Sequence, residues 1–136
     1  MKIKILIGLV LAVCSAGAGQ LDNKFLKALN HVEASGKTGA IVGDNGKALG
    51  PYQIHRVYWE DVADKVGGKY SDVTNKAYAE RVVNAYLNKY APKAVAAKDY
   101  ETLARIHNGG PRGATKPSTL GYWKKVQKAI DKPPRL

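Results

Sequence analysis

Three features of this 136-residue sequence predict an α+β fold, mostly helical with one small β-hairpin. Apolar residues recur at helical spacing in several separate segments. Residues 38–49 hold a short β-compatible run, the turn signal Asn45-Gly46 and a short return. Glycine and proline punctuate the rest into short elements. The first eighteen residues stand apart from this domain. Lys2 and Lys4, an apolar run from Ile5 to Cys14, and Ala16-Gly17-Ala18 follow the order of an export signal with a small-residue cleavage site. Ten apolar residues are too few to span a bilayer, which takes about 20 in a helix. Leu11-Ala12-Val13-Cys14 approaches a lipid-attachment box but carries a branched valine before the cysteine. The organisation read here is therefore a signal peptide over 1–18 and one domain over 19–136, secreted or periplasmic.

Within the domain, Phe25, Leu26, Leu29 and Val32 form one apolar stripe of a helix over 22–33, with Asp22 as its N-cap. Thr38 to Val42 and Lys47 to Leu49 are the two arms of the hairpin. Pro51 starts a second helical region through Val57, Trp59, Val62 and Val66, which Gly67-Gly68 stops. Ser71 or Thr74 caps the next helix. That helix, 75–90, has the clearest pattern: Ala79, Val82, Val83, Tyr86, Leu87 and Tyr90 lie on one face, marking it as the central core helix. Pro92 ends it. A short helix near 99–107 carries Tyr100, Leu103, Ala104 and His107 on one side, Gly109-Gly110-Pro111 breaks it, and a last helix spans 118–131.

Cys14 is the only cysteine, so a chain cleaved after residue 18 has no disulfide and no thiolate metal site. Its stability must come from a packed core. The formal charge is +11; without Lys2 and Lys4 there remain 20 basic and 11 acidic residues, or +9. Such a balance favours anionic partners, and for an exported protein an acidic wall polymer or anionic cell surface over any specific nucleic acid. Lys116, Lys124, Lys125 and Lys128 are read as a solvated helix face that also steers toward such polymers. His31 and His55 lack partners at metal-ligand spacing, and no cofactor is implied.

The residues that carry chemistry are Glu33 and Asp44. Gly36, Gly39, Gly43 and Gly46 prevent one continuous helix between them, so the chain bends and the two acids face each other across a cleft. Glycoside hydrolysis needs a protonated acid beside the scissile oxygen and an ionised carboxylate near the anomeric carbon. Glu33, at the end of an apolar helix, is the one to be desolvated and raised in pKa; Asp44, in a polar glycine turn, is the one to stay ionised. Tyr52 and Gln53, just after the hairpin, offer an aromatic face and an amide for sugar. His107, at a helix end, either hydrogen-bonds substrate or a carboxylate or caps the helix, and Tyr58 lines the cleft. Trp59 and Trp123 are read as core.

Glu33-Ala34-Ser35-Gly36, then Gly43-Asp44-Asn45-Gly46-Lys47-Ala48-Leu49-Gly50-Pro51-Tyr52-Gln53-Ile54, then Tyr58-Trp59, then Ala104 to Pro111 with His107-Asn108-Gly109-Gly110, and finally Gly121-Tyr122-Trp123 closely resemble the invertebrate-type (destabilase-like) lysozymes. The resemblance covers nearly all of 19–136 in the same order. It implies a lysozyme-like fold and cleavage of the β-1,4 bond between N-acetylmuramic acid and N-acetylglucosamine in peptidoglycan. Glu33 is then the general acid/base and Asp44 the nucleophile or stabiliser, with a retaining mechanism. Ser35, Tyr52, Gln53, Tyr58, His107, Asn108 and Gly109 are the substrate-binding candidates. Three departures stand out: the missing cysteines, a Glu33–Asp44 segment about one residue short, and Ala48-Leu49 where some members carry a serine linked to isopeptidase activity. Two other readings remain open: a lytic transglycosylase using Glu33 alone, and a non-catalytic cationic wall-binding or antimicrobial protein.

Overall fold

Residues 19–135 are described by the computed structural model; the export-signal reading and the lipid-box motif lie outside them. Helix α1 (Asn23–Ala34) begins where expected, because the Asp22 carboxylate accepts a hydrogen bond from the Phe25 N–H at 2.9 Å. Phe25, Leu26 and Leu29 are buried along one face. Full burial of a phenylalanine or leucine contributes about 1.5–3 kcal/mol, which is how a short amphipathic helix is held without a disulfide. Ser35, with φ 52°, ends the helix in the left-handed region, leaving Glu33 in its last turn.

The expected hairpin is the first half of a three-stranded antiparallel sheet: β1 (Val42–Gly43), β2 (Ala48–Leu49) and β3 (Ile54–His55). Val42 pairs with Leu49 and Gly43 with Ala48; Ala48 then pairs with His55 and Leu49 with Ile54. The arm expected from Thr38 shortens to two residues. Between β1 and β2, Asp44, Asn45 and Gly46 form a tight 3₁₀ turn with φ of 49°, 54° and 86°. The buried Asn30 amide donates to the Lys37 and Pro51 carbonyls, each at 3.0 Å, and so ties the end of α1 to both approaches to the sheet.

Pro51 opens a turn rather than a helix, and the helical pattern after it divides into α2 (Arg56–Glu60) and α3 (Ala63–Val66), stopped at Gly67. Residues Tyr70–Thr74 make a 3₁₀ turn, so neither Ser71 nor Thr74 caps the long helix. Asn75 does, its side chain accepting from the Tyr78 N–H at 2.9 Å at the start of α4 (Lys76–Tyr90). Ala79, Val82, Val83, Tyr86 and Leu87 of α4 are buried as the pattern requires. Pro92 ends α4 and also starts α5 (Pro92–Ala97), since proline suits a first helical position. Helix α6 (Tyr100–Gly109) is capped by Asp99 and stops at Gly110, whose φ is 85°. Two 3₁₀ turns, Gly113–Thr115 and Pro117–Thr119, lead into α7 (Leu120–Asp131), which packs on α1 and α6. The core joins Phe25 and Leu29 of α1, the apolar face of α4, Leu103 and Ala104 of α6, and Val126 of α7. Among the described residues no helix is long and apolar enough to cross a membrane.

Candidate active site

The end of α1, the tip of the sheet and the end of α6 surround one cleft of about 450 Å³. Glu33 and Asp44 both line it, joined by Gln53, His55, Tyr58, His107 and Asn108. The two carboxylates meet unlike surroundings. Glu33 is 18% exposed, and Asp44, on the turn, is 57% exposed.

Burial pushes the Glu33 carboxyl up to about 7, against the opposing pull of the Tyr122 hydrogen bond and the Lys125 charge. Tyr122, from α7, donates to Glu33 Oε1 at 2.7 Å. His107 Nε2 stands 3.6 Å from the same oxygen, beyond hydrogen-bond range. On its other side, His107 Nδ1 faces the Tyr58 hydroxyl at 2.9 Å, and Tyr58 in turn stacks on Tyr86 with ring centroids 3.6 Å apart. Burial lowers the His107 imidazole to about 4, only partly offset by the Tyr52 backbone. The ring is therefore neutral at neutral pH. An imidazolium this close would favour the Glu33 carboxylate; a neutral ring leaves the acid form in place. With Oε1 engaged by Tyr122, Oε2 is the oxygen left to carry the proton.

Asp44 Oδ2 lies 3.1 Å from His55 Nε2. The sheet register explains the pair: Gly43, Ala48 and His55 lie in a row across the three strands, and Asp44 follows Gly43 directly. A Cβ at Gly43 would fall 1.9 Å from Gln53 Oε1, so a side chain there would have to displace the Gln53 amide. Gln53, itself at φ 47°, donates from Nε2 to the Ile41 and Gly50 carbonyls at 3.1 and 2.9 Å. Its amide both lines the cleft and fastens the sheet.

The other expected site residues divide. Asn108 lines the cleft beside His107. Gly109 lies outside the lining; its carbonyl accepts from Lys116 Nζ at 2.7 Å, and a Cβ there would meet Thr119 at 2.5 Å. Ser35 is exposed at the end of α1 and outside the lining as well. Tyr52 departs most from the expectation: it is 0% exposed and its hydroxyl donates to Glu80 Oε1 at 2.9 Å, so its ring is core and offers no face to a sugar. Trp59 and Trp123 pack against the core. Tyr122 and His55 were not singled out as site residues from sequence. No sequence signal marks His55, since its strand is only two residues long; Tyr122 lies in the Gly-Tyr-Trp motif, but its contact with Glu33 spans 89 positions. Among the described residues no group of three or more His, Cys, Asp or Glu side chains is placed to hold a metal.

A buried, raised carboxyl and an exposed one thus line a single open cleft of a small α+β domain, a pair of the kind that glycoside hydrolysis requires. The comparisons place it further. The sequence matches the Destabilase family over residues 22–129. It is 34% identical to Lysozyme 1 of Crassostrea virginica over 83% of this chain, although that match spans only 62% of the oyster protein. It is 32% identical to the lysozyme of Ostrea edulis over 93% of this chain and 94% of that one. Among solved structures, a chain from the crystal structure of Aeromonas hydrophila PliI in complex with Meretrix lusoria lysozyme superposes with a TM-score of 0.67. The two are 31% identical, over 82% of this chain and 93% of that chain. The chain belongs to the destabilase, or invertebrate-type lysozyme, family.

Proposed function

We propose that this protein is a peptidoglycan hydrolase that cleaves the β-1,4 bond between N-acetylmuramic acid and N-acetylglucosamine. The observation that carries the proposal is the pairing of Glu33, buried and raised to about 7, with Asp44, exposed on the glycine turn, in one cleft. Glu33 Oε2 gives its proton to the glycosidic oxygen as the bond to the anomeric carbon breaks. Asp44 attacks or shields the developing positive charge at that carbon, and His55 steadies its carboxylate. Water then enters; as Glu33, now ionised, takes its proton, the water oxygen bonds to the anomeric carbon and the Asp44 carboxylate is released from it, so both acids regain their starting states. Tyr122 holds Glu33 in both states, because its hydroxyl can donate to a carbonyl oxygen as well as to a carboxylate oxygen, more strongly to the latter. Gln53, Tyr58, His107 and Asn108 shape the floor and wall against which the sugar is seated.

The test is digestion of purified peptidoglycan by wild type, Glu33→Gln and Asp44→Asn, with the products identified by mass. Reducing muropeptides from the wild type, lost in both variants, are expected. Anhydro products that survive Asp44→Asn would replace hydrolysis with transglycosylation, and lysis of cells without any glycan cleavage would replace catalysis with wall binding.

A further inference from the structure

Away from the catalytic residues, α1 and α7 lie side by side and each presents a row of basic side chains to solvent. On α1 the row is Lys24, Lys27 and His31; on α7 it is Lys125, Lys128 and Lys132, the last at the helix cap. Both rows have the same spacing, i, i+3, i+7, which sets successive side chains about 5 Å apart along each axis. Two hollows of about 340 and 500 Å³ lie along these rows and share His31, Ala129 and Pro134, so they form one groove. Lys76, from the start of α4, adds a further cation to it. Among the described residues no carboxylate lines either hollow, and none of Lys24, Lys27, Lys125, Lys128 or Lys132 is in an ion pair.

We propose that this groove binds a linear phosphodiester polymer without bases, of the kind that accompanies bacterial wall glycan. Two rows of like charge with no internal counter-ion repel one another and gain most when a continuous polyanion lies between them and releases its own counter-ions. The lining selects among polyanions. It contains no Phe, Tyr or Trp ring on which a nucleobase would stack, the His31 imidazole being its one aromatic group, and no arginine fork to read a base edge. It also lacks the large exposed apolar side chain that anchors a protein in a lipid interface; the exposed ones among the described residues are Val42, Val57 and Leu120, none in this groove. The charge of Lys125 is also felt by Glu33. This reading builds on the proposed wall substrate but has its own readout.

Binding of poly(glycerol phosphate) to the full chain is the direct test, comparing Lys27→Gln/Lys128→Gln with a control pair of equal charge loss, Lys65→Gln/Lys93→Gln. The groove pair is expected to lose about tenfold or more in affinity and to lower the slope of log K against log salt by about two, while the control stays within about twofold. Both pairs should cleave a short uncharged chitin oligomer like the wild type, which separates failure of this proposal from failure of the hydrolase reading. Equal weakening in the two pairs would reduce the effect to net charge and overturn the proposal. So would tighter binding to single-stranded DNA or to phosphatidylglycerol vesicles than to the polymer.

Discussion

Glu33 sits where three influences meet: burial raises its pKa, while Tyr122 and Lys125 pull it down. The balance, about 7, leaves the carboxyl protonated across mildly acidic pH, so kcat/KM is expected to fall as pH rises through about 7. Removing a downward pull moves that limb the other way. Tyr122→Phe should shift it to higher pH, visible in a kcat/KM profile on a soluble oligomer; Lys125→Gln should do the same to a smaller degree, and less at high salt. Glu33→Gln is expected to lose roughly 10²–10⁴-fold or more of the rate, as the loss of a general acid implies. An unmoved limb in Tyr122→Phe would show that another group sets it.

At the scale of elements, the cleft depends on three two-residue strands that would not be stable alone. Their support is local and specific. Gly50 has φ 82°, and a Cβ there would lie 2.1 Å from the Val73 carbonyl oxygen, so the sheet and the Tyr70–Thr74 turn touch through the absence of a side chain. Gly50→Ala is expected to cost more than about 1 kcal/mol in a urea titration, from the positive φ alone, and to reduce activity by moving Asp44. Gln53→Ala frees the Ile41 and Gly50 carbonyls from their amide and should cost about 1–2 kcal/mol by the same assay. A stability equal to wild type in both variants would contradict this account of the sheet.

For the whole molecule, two buried groups in one site make opposite demands on pH. The folded value of Glu33, about 7, lies above its ordinary 4.5, so its burial penalty is absent below about pH 4.5 and fully present above 7. The folded value of His107, about 4, lies below its ordinary 6.5, so its penalty is absent above 6.5 and fully present below about 4. Each reaches on the order of 3 kcal/mol, and between pH 4.5 and 6.5 one grows as the other fades, so their pH dependences nearly cancel while their sum stays almost constant. Glu33→Gln should therefore be more stable than wild type at pH 8 and lose stability on acidification through 6.5; His107→Asn should gain stability over the same interval. Urea midpoints against pH check both signs.

How much of this was legible in the sequence follows the same physics. Helices α1 and α4 have enough turns for their periodicity to show, and Glu33 and Asp44 stand out because glycine breaks the chain between them. Strand β3 is two residues long and shows no alternation, and Pro92 reads as a stop although it is equally a start. Tyr52 faces inward because the turn before β3 places it there, a direction that one residue's type does not encode. The Tyr122–Glu33 and Asp44–His55 contacts arise only when α7 packs on α1 and the three strands align.

The central claim is that folding makes Glu33 an acid that holds its proton near neutrality. Carbon-13 NMR titration of the Glu33 side-chain carboxyl in the folded protein measures it directly. A midpoint near 7, rising in Tyr122→Phe, is the predicted result; a midpoint near 4.5, unchanged by that substitution, would contradict the assignment of Glu33 as the general acid.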